Sequence, residues 1–373
     1  MSEVRKQLRV GVIFGGRSGE HEVSLMSAQS VLGALDPARY IVTQIGITHE
    51  GAWFTGQDVL QAMIDTRVDE LIPATILPDP SHPGLRGIRN TQHGQLLELL
   101  ASLDIIFPVL HGTFGEDGTL QGLLEMADIA YVGAGVLGSA LGMDKGIFRD
   151  VMAANGIPVL ENAVILRSEL NENPEVALNR AEAVAHYPLF VKPANLGSSV
   201  GITKARSRSD LLEGLLEAAR YDRRVLVQRG VYAREIEVSV LGNDKPEASV
   251  PGEIIPSREF YSYESKYFDG TSQLIIPAPI NAKTAERARR LALKAYKAVD
   301  CAGLARVDFL LDRDTSNLYL NEINTMPGFT QISMYPKLWD ISGLPYPDLV
   351  DRLIELALER KADRDQTERR FRR

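Results

Sequence analysis

Arg306-Val307-Asp308-Phe309-Leu310-Leu311, then Asp312 to Asn317, then Leu318-Tyr319-Leu320-Asn321-Glu322-Ile323-Asn324 is the segment from which the fold and the chemistry can both be read. Two apolar runs flank a turn rich in Asp, Asn, Ser and Thr, which predicts a β-hairpin. Centred at Thr315, it sets Asp308 opposite Glu322 and Arg306 opposite Asn324. Strand side chains alternate faces, so these four residues point the same way, along with Leu310, Leu318 and Leu320. Val307, Phe309 and Ile323 take the other face. Facing carboxylates on a partly buried surface repel, and a divalent cation relieves that. Magnesium prefers one or two carboxylates plus phosphate oxygens. A cross-strand salt bridge from Arg306 is the alternative, but it leaves one acid and Asn324 unused. Thr325-Met326-Pro327-Gly328 follows as a turn whose N–H groups lie beside Arg306 and suit an oxyanion.

Upstream, Val225 to Gln228, Ile236 to Leu241 and Ala305 to Leu311 read as locally paired strands, an α+β texture. Lys192-Pro193-Ala194-Asn195-Leu196-Gly197-Ser198-Ser199-Val200-Gly201 is a glycine-rich hairpin loop. Its backbone N–H groups and hydroxyls suit phosphate oxygens, with Lys192 at the strand end; a plain hairpin turn is the alternative. Pro256 to Gln273 is long and rich in aromatics, and reads as a lid or as a decorated surface loop. The N-terminal part differs. Leu8 to Phe14 is a buried strand, Glu20 to Leu35 a helix, and Tyr40 to Thr48 and Asp104 to Leu110 further strands. That alternation predicts an α/β unit with a parallel sheet, ending near Gly133-Ala134-Gly135. Asp65 to Gly94, with its prolines, reads as a surface excursion. The chain closes on an amphipathic helix from Asp348 to about Arg360, with Leu349, Leu353, Ile354 and Leu358 on one side.

The 373 residues carry a formal charge of −8, with 24% charged and 45% hydrophobic side chains, and suit a chain of two or three domains. An acidic balance argues against a general grip on nucleic acid; only Arg369 to Arg373 is locally basic. The single cysteine, Cys301, excludes an internal disulfide and fits a reducing cytoplasm. Its neighbours suggest a small buried residue. The apolar run Val10 to Phe14 is too short for a signal-peptide core, and no stretch is long enough to span a bilayer. Neither G-x-G-x-x-G nor a P-loop occurs, although Gly15-Gly16-Arg17-Ser18-Gly19 joins a strand to a helix.

Taken together, Gly15-Gly16-Arg17-Ser18-Gly19-Glu20-His21-Glu22-Val23-Ser24, His111-Gly112 with Gly115-Glu116-Asp117-Gly118, Met143-Asp144-Lys145, Lys192-Pro193 with Gly197 to Gly201, Tyr263-Glu264-Ser265-Lys266-Tyr267, and Asn321 to Thr325 with Pro327-Gly328 resemble the D-alanine–D-alanine ligase family of the ATP-grasp superfamily. The motifs stand in the family's order and span nearly the whole chain. The resemblance implies an N-terminal Rossmann-like parallel sheet followed by a two-part ATP-grasp fold, divided as 1–136, 137–226 and 227–373. ATP would phosphorylate one D-alanine to an acylphosphate, and the amine of a second D-alanine would attack it. The product serves peptidoglycan precursor synthesis.

By the same resemblance, Glu20 holds the first D-alanine's amine and is linked to Ser198 and Tyr267, with His111 nearby. Lys145, Lys192, Ser199, Gln228, Glu235 and Lys266 line the ATP site. Asp308, Glu322 and Asn324 ligate a pair of magnesium ions, with manganese as a substitute. Arg306 and Gly328 hold the oxyanion, and Lys266 and Ser333 meet the second substrate's carboxylate. A homodimer is implied as well. One position departs from the family, which generally has Glu where Gln228 stands; a Gln carbonyl still accepts from the adenine amino group. The competing readings are a D-alanyl-D-lactate ligase and a nucleotide-binding ATP-grasp protein without catalysis.

Overall fold

The computed structural model describes residues 7–197, 200–255 and 273–368. Its first sheet holds β1 (Leu8–Gly15), β2 (Tyr40–Ile47), β3 (Trp53–Thr55), β4 (Ile72–Ile76), β5 (Leu85–Thr91), β6 (Gly94–Ala101), β7 (Ile105–Pro108) and β8 (Ala130–Tyr131), in the order β6-β5-β4-β3-β2-β1-β7-β8. The parallel sheet expected from the sequence is present as β2-β1-β7-β8. Beyond β2 the strands run antiparallel, so the sheet as a whole is mixed.

The segment from Asp65 to Gly94 is therefore not an excursion. It supplies β4 and β5, and it buries Ala74, Ile76 and Leu85. One face of the sheet sends Val10, Val12, Phe14 and Phe107 into a core shared with Val31 of helix His21–Ala34 and with Leu349, Leu353 and Ile354 of the last helix, Tyr346–Arg364. The other face packs Ile13, Ile45 and Ile106 against Leu120 and Leu124 of helix Thr119–Met126.

The second sheet is antiparallel, ordered β11-β10-β12-β9, from β9 (Asn162–Leu166), β10 (Leu189–Pro193), β11 (Thr203–Ala205) and β12 (Arg224–Arg229). Val191, Val225 and Val227 face the helices Pro174–Glu182 and Arg208–Tyr221. The opposite face is left to Phe190, Lys192, Leu226 and Gln228, which pair as Phe190 with Gln228 and Lys192 with Leu226. Residues directly opposite in an antiparallel ladder share a face. The strand after the glycine-rich loop begins at Thr203, three residues later than Val200. Val225 to Gln228 belongs here and does not pair with Ile236 to Leu241, as its nearness in sequence suggested.

The third sheet is also antiparallel: β13 (Ala233–Gly242), β14 (Glu247–Ala248), β15 (Gly252–Ile255), β16 (Gln273–Ile275), β17 (Gly303–Asp312) and β18 (Leu318–Asn324), ordered β16-β15-β13-β17-β18 with β14 on β13. Helix Ala282–Ala298 covers one face, and Ala288, Ala292 and Tyr296 pack there against Val307 and Phe309. Among the described residues no helix is long and apolar enough to cross a membrane. Cys301 is buried, and burial pushes its thiol up to about 12, which leaves it a packing residue.

The hairpin has the expected register at its functional end, Arg306 with Asn324 and Asp308 with Glu322. A bulge then intervenes, and Phe309 faces Leu320 while Leu311 faces Leu318. The extra residue, Asn321, reverses the later alternation. Leu318 and Leu320 therefore lie in the core, 1% exposed, and not on the polar face with Leu310.

Candidate active site

The open faces of the second and third sheets and the loops after β1 and β7 enclose a cavity of about 1200 Å³. Its walls bring together Glu20, His111, Lys145, Lys192, Gln228, Glu235, Arg306, Asp308, Glu322, Asn324, Gly328 and Ser333. These come from segments far apart in the chain. Ser198, Ser199, Lys266 and Tyr267, also expected at the site, lie outside the described residues, as does nearly all of the loop from Pro256 to Gln273.

Arg306 is the hub of the acidic end. Its Nε and Nη2 donate to the two Asp308 oxygens at 2.8 and 2.7 Å, and Nε lies 2.9 Å from Glu237 Oε2. Asn324 Nδ2 donates to Asp308 Oδ2 at 2.9 Å. Arg306, Asp308 and Asn324 are thus hydrogen-bonded to one another, and part of the salt-bridge alternative holds: Arg306 pairs along its own strand with Asp308 and across to Glu237. Glu237, which the sequence reading did not single out, is 3% exposed and sits opposite Asp308 on β13. Among the described residues no three His, Cys, Asp or Glu side chains form a metal-holding group. The oxygen donors that face one another across β17 and β18 are the carboxylates of Asp308 and Glu322 and the amide of Asn324.

At the other end, Glu20 is 8% exposed and opens helix His21–Ala34. A Cβ at Gly112, whose φ is +74°, would lie 2.5 Å from Glu20 Oε2, and one at Gly197 would also collide with that oxygen. Two glycines thus let this carboxylate sit at the junction of two loops. His111 is buried with both ring nitrogens engaged, Nε2 at 3.0 Å from Ser27 Oγ and Nδ1 at 2.9 Å from the Met326 carbonyl. Burial holds its pKa below the usual histidine range. A neutral ring that donates from Nδ1 and accepts at Nε2 satisfies both contacts. Ser333 Oγ lies 2.7 Å from Thr330 Oγ1 and precedes helix Met334–Ile341. Asp144 caps the helix Lys145–Ala154 through the Gly146 and Ile147 N–H groups, and Lys145 Nζ donates to the Leu196 carbonyl at 2.7 Å.

Lys192 is 8% exposed, and burial, with Arg149 and Lys145 nearby, lowers its pKa to about 7 against the pull of Glu322 and Glu235. A phosphate docking on Nζ favours the ammonium and raises that value again. Nucleotide binding at pH 8 is therefore expected to take up a proton, and at pH 6, where Lys192 is already charged, it is not. Calorimetry of ATP binding in buffers of different ionisation enthalpy reads this directly. No buffer dependence at pH 8, or the same dependence in Lys192→Met, would remove Lys192 from the phosphate site.

Gln228, 2% exposed, accepts from Arg149 Nη2 at 2.5 Å through Oε1. An arginine has only donors, so the amide oxygen must face it. This alters the expectation for the base end of the cavity: the carbonyl is already engaged, and the amide turns its N–H pair the other way. Gln228→Glu restores a second oxygen while keeping the Arg149 contact. It is expected to lower the KM for ATP several-fold, by about the 1 kcal/mol of a typical hydrogen bond, with kcat little changed; steady-state kinetics with varied ATP checks it.

Residues 9–134 match the family model described as D-ala D-ala ligase N-terminus, and residues 151–355 match D-ala D-ala ligase C-terminus. A D-alanine--D-alanine ligase of Heliobacterium modesticaldum is 49% identical over 362 residues, spanning 96% of this chain and 98% of that protein. One from Thermoanaerobacter sp. is 51% identical over 353 residues, spanning 94% and 96%. Among solved structures, the VanG D-Ala:D-Ser ligase of Enterococcus faecalis superposes with a TM-score of 0.83 at 34% identity, covering 94% of this chain and 100% of that one. The D-alanine-D-alanine ligase of Coxiella burnetii does so with 0.80 at 36% identity, covering 96% of each.

Proposed function

The chain belongs to the D-alanine–D-alanine ligase family, and from that premise we propose how its residues join two D-alanine molecules using ATP. It is an ATP-dependent ligase of α/β construction. The observation that carries the assignment of roles is the facing of two sheets across one cavity. Phe190, Lys192 and Gln228 stand on one wall, Arg306, Asp308 and Glu322 on the other, and Glu20 closes the end.

The nucleotide lies between the sheets, its base toward Gln228 and Phe190, its ribose toward Glu235, and its phosphates toward Lys145, Lys192 and the Ser199 loop. Asp308, Glu322 and the Asn324 amide oxygen fit magnesium, or manganese in its place. The donor set is hard oxygen, and two carboxylates stand opposite each other beside the cationic wall. Such an ion supplies positive charge to phosphate oxygens.

Glu20 takes the ammonium of the first D-alanine, with His111 alongside; Ser198 and Tyr267 are assigned to the same task. The carboxylate of that first D-alanine attacks the γ-phosphorus of ATP, and ADP leaves. Lys266 and Ser333 fix the second D-alanine's carboxylate. The amine of that second D-alanine, having given up a proton to solvent, attacks the acylphosphate carbon, and the adduct's nitrogen releases a further proton to solvent. Arg306 and the Gly328 N–H hold the resulting oxyanion until phosphate departs and the peptide bond remains.

The division at 136 and 226, a cytoplasmic location and a homodimer belong to the same proposal. The lone buried Cys301 supports the location. The edge strand β6 supports the dimer, since it exposes Leu96, Leu97, Leu99 and Leu100, a row that a second copy would cover.

The test is phosphate release from the purified protein with ATP and magnesium, comparing D-alanine alone, D-alanine with D-lactate, and L-alanine, followed by identification of the dipeptide. Release with D-alanine alone, yielding D-alanyl-D-alanine, is expected. Release that requires D-lactate would move the assignment to a depsipeptide ligase, and none in any mixture from folded protein would leave only nucleotide binding.

A further inference from the structure

Glu116 joins the two ends of the site through a single carboxylate. It follows the His111-Gly112 loop, and only 13% of its side chain is exposed. Its Oε1 accepts the Gly112 N–H at 2.9 Å, and its Oε2 accepts the Met326 N–H at 3.3 Å. His111 donates from Nδ1 to the Met326 carbonyl at 2.9 Å. Both polar groups of one residue in the Thr325 to Gly328 turn are therefore held by the loop after β7. The same loop touches the first-substrate pocket, because Gly112 lies against the Glu20 carboxylate. The next anchor along the turn is of the same kind, since the Phe329 N–H donates to Ser27 Oγ at 3.3 Å and that hydroxyl meets His111.

We propose that Glu116 is a positioning residue that ties the Glu20 pocket to the Met326–Gly328 turn, so that the oxyanion-holding N–H is set in register with the first substrate. This rests on the assignment of Glu20 and Gly328 above. A carboxylate can accept from both backbone donors at once; a protonated carboxyl or an amide places a donor against one of them. Burial and the nearby Glu20 charge raise the Glu116 pKa to about 8, while the two N–H groups and Arg306 oppose the rise and His111 sits 3.9 Å from Oε1. The two-sided grip in the free enzyme is then complete only above that pH.

Glu116→Gln keeps the volume and breaks one of the two acceptor contacts. Misplacing a reacting group by about 1 Å costs on the order of 10²-fold, so above pH 8, where the wild-type grip is complete, kcat is expected to fall by about 30- to 100-fold with the KM for ATP unchanged within twofold, and the gap should narrow as the pH is lowered. In the wild type, kcat/KM for D-alanine should rise through about pH 8, and that limb should be missing from Glu116→Gln. Should Glu116→Gln fail to fold, Glu116→Asp, which retains both acceptors on a shorter stem, is expected to show a smaller kcat loss with the same unchanged KM for ATP. A kcat within threefold of wild type in the folded variant, or a KM for ATP that rises in step with the loss, overturns the proposal. A wild type that makes no dipeptide would instead overturn the functional assignment on which it rests.

Discussion

Arg306→Lys is expected to lower kcat by about a thousandfold while the protein stays folded. The loss of one donor to a developing oxyanion costs on the order of 10²–10³, and removal of an arginine from a phosphoryl-transfer site costs about 10³ or more. On the proposed assignment the side chain has two tasks at once. Its fork is bidentate on Asp308 and also faces Glu237, so the guanidinium both serves the cavity and keeps two opposed carboxylates neutralised. Lysine preserves the charge but offers a single point of contact, which cannot span both acids and the reacting centre. Stopped-time assays of phosphate and dipeptide measure the rate, and thermal melting measures the cost to the fold. A rate within tenfold of wild type would show that Arg306 serves only the ion pairs.

Glu322→Gln carries the second large effect, a fall in kcat of at least about a hundredfold, not restored by raising magnesium. The side chain faces Asp308 across the last regular step of the hairpin before the bulge. Its charge also counts at Lys192 and Arg149, whose pKa values it raises against burial. The amide removes an anionic oxygen from the proposed hard-cation set and an attractive charge from the cationic wall. Turnover within a few-fold of wild type at every magnesium concentration would refute the metal assignment. Recovery at high magnesium would show that Glu322 sets the affinity for the ion and is dispensable once the ion is bound.

The hairpin was legible in the sequence because its signals are local. Two apolar runs and a polar turn fix a register, and with it the pairing of Asp308 with Glu322. The bulge at Asn321 was not, because one extra residue leaves the composition unchanged while it moves Leu318 and Leu320 from one face to the other. Glu237 escaped notice for a different reason. It lies 71 residues before Asp308, on a strand whose partner only the assembled sheet reveals. The same non-local pairing separates β12 from β13, which are neighbours in sequence and members of different sheets. The stretch from Asp65 to Gly94 misled through its prolines, although Ala74 and Ile76 already alternate as a strand should. Glu116 was visible inside a motif, but its hold on Met326 joins residues 210 apart.

The last helix, Tyr346–Arg364, seals the face of the first sheet that bears Val10, Val12 and Phe14. During synthesis the opening strand therefore leaves the ribosome more than 300 residues ahead of the surface that covers it. The N-terminal unit waits through most of translation with an apolar face open to solvent, and a chain released early keeps it open. Nascent chains halted before residue 346 should bind trigger-type chaperones and hydrophobic dyes that the finished protein ignores.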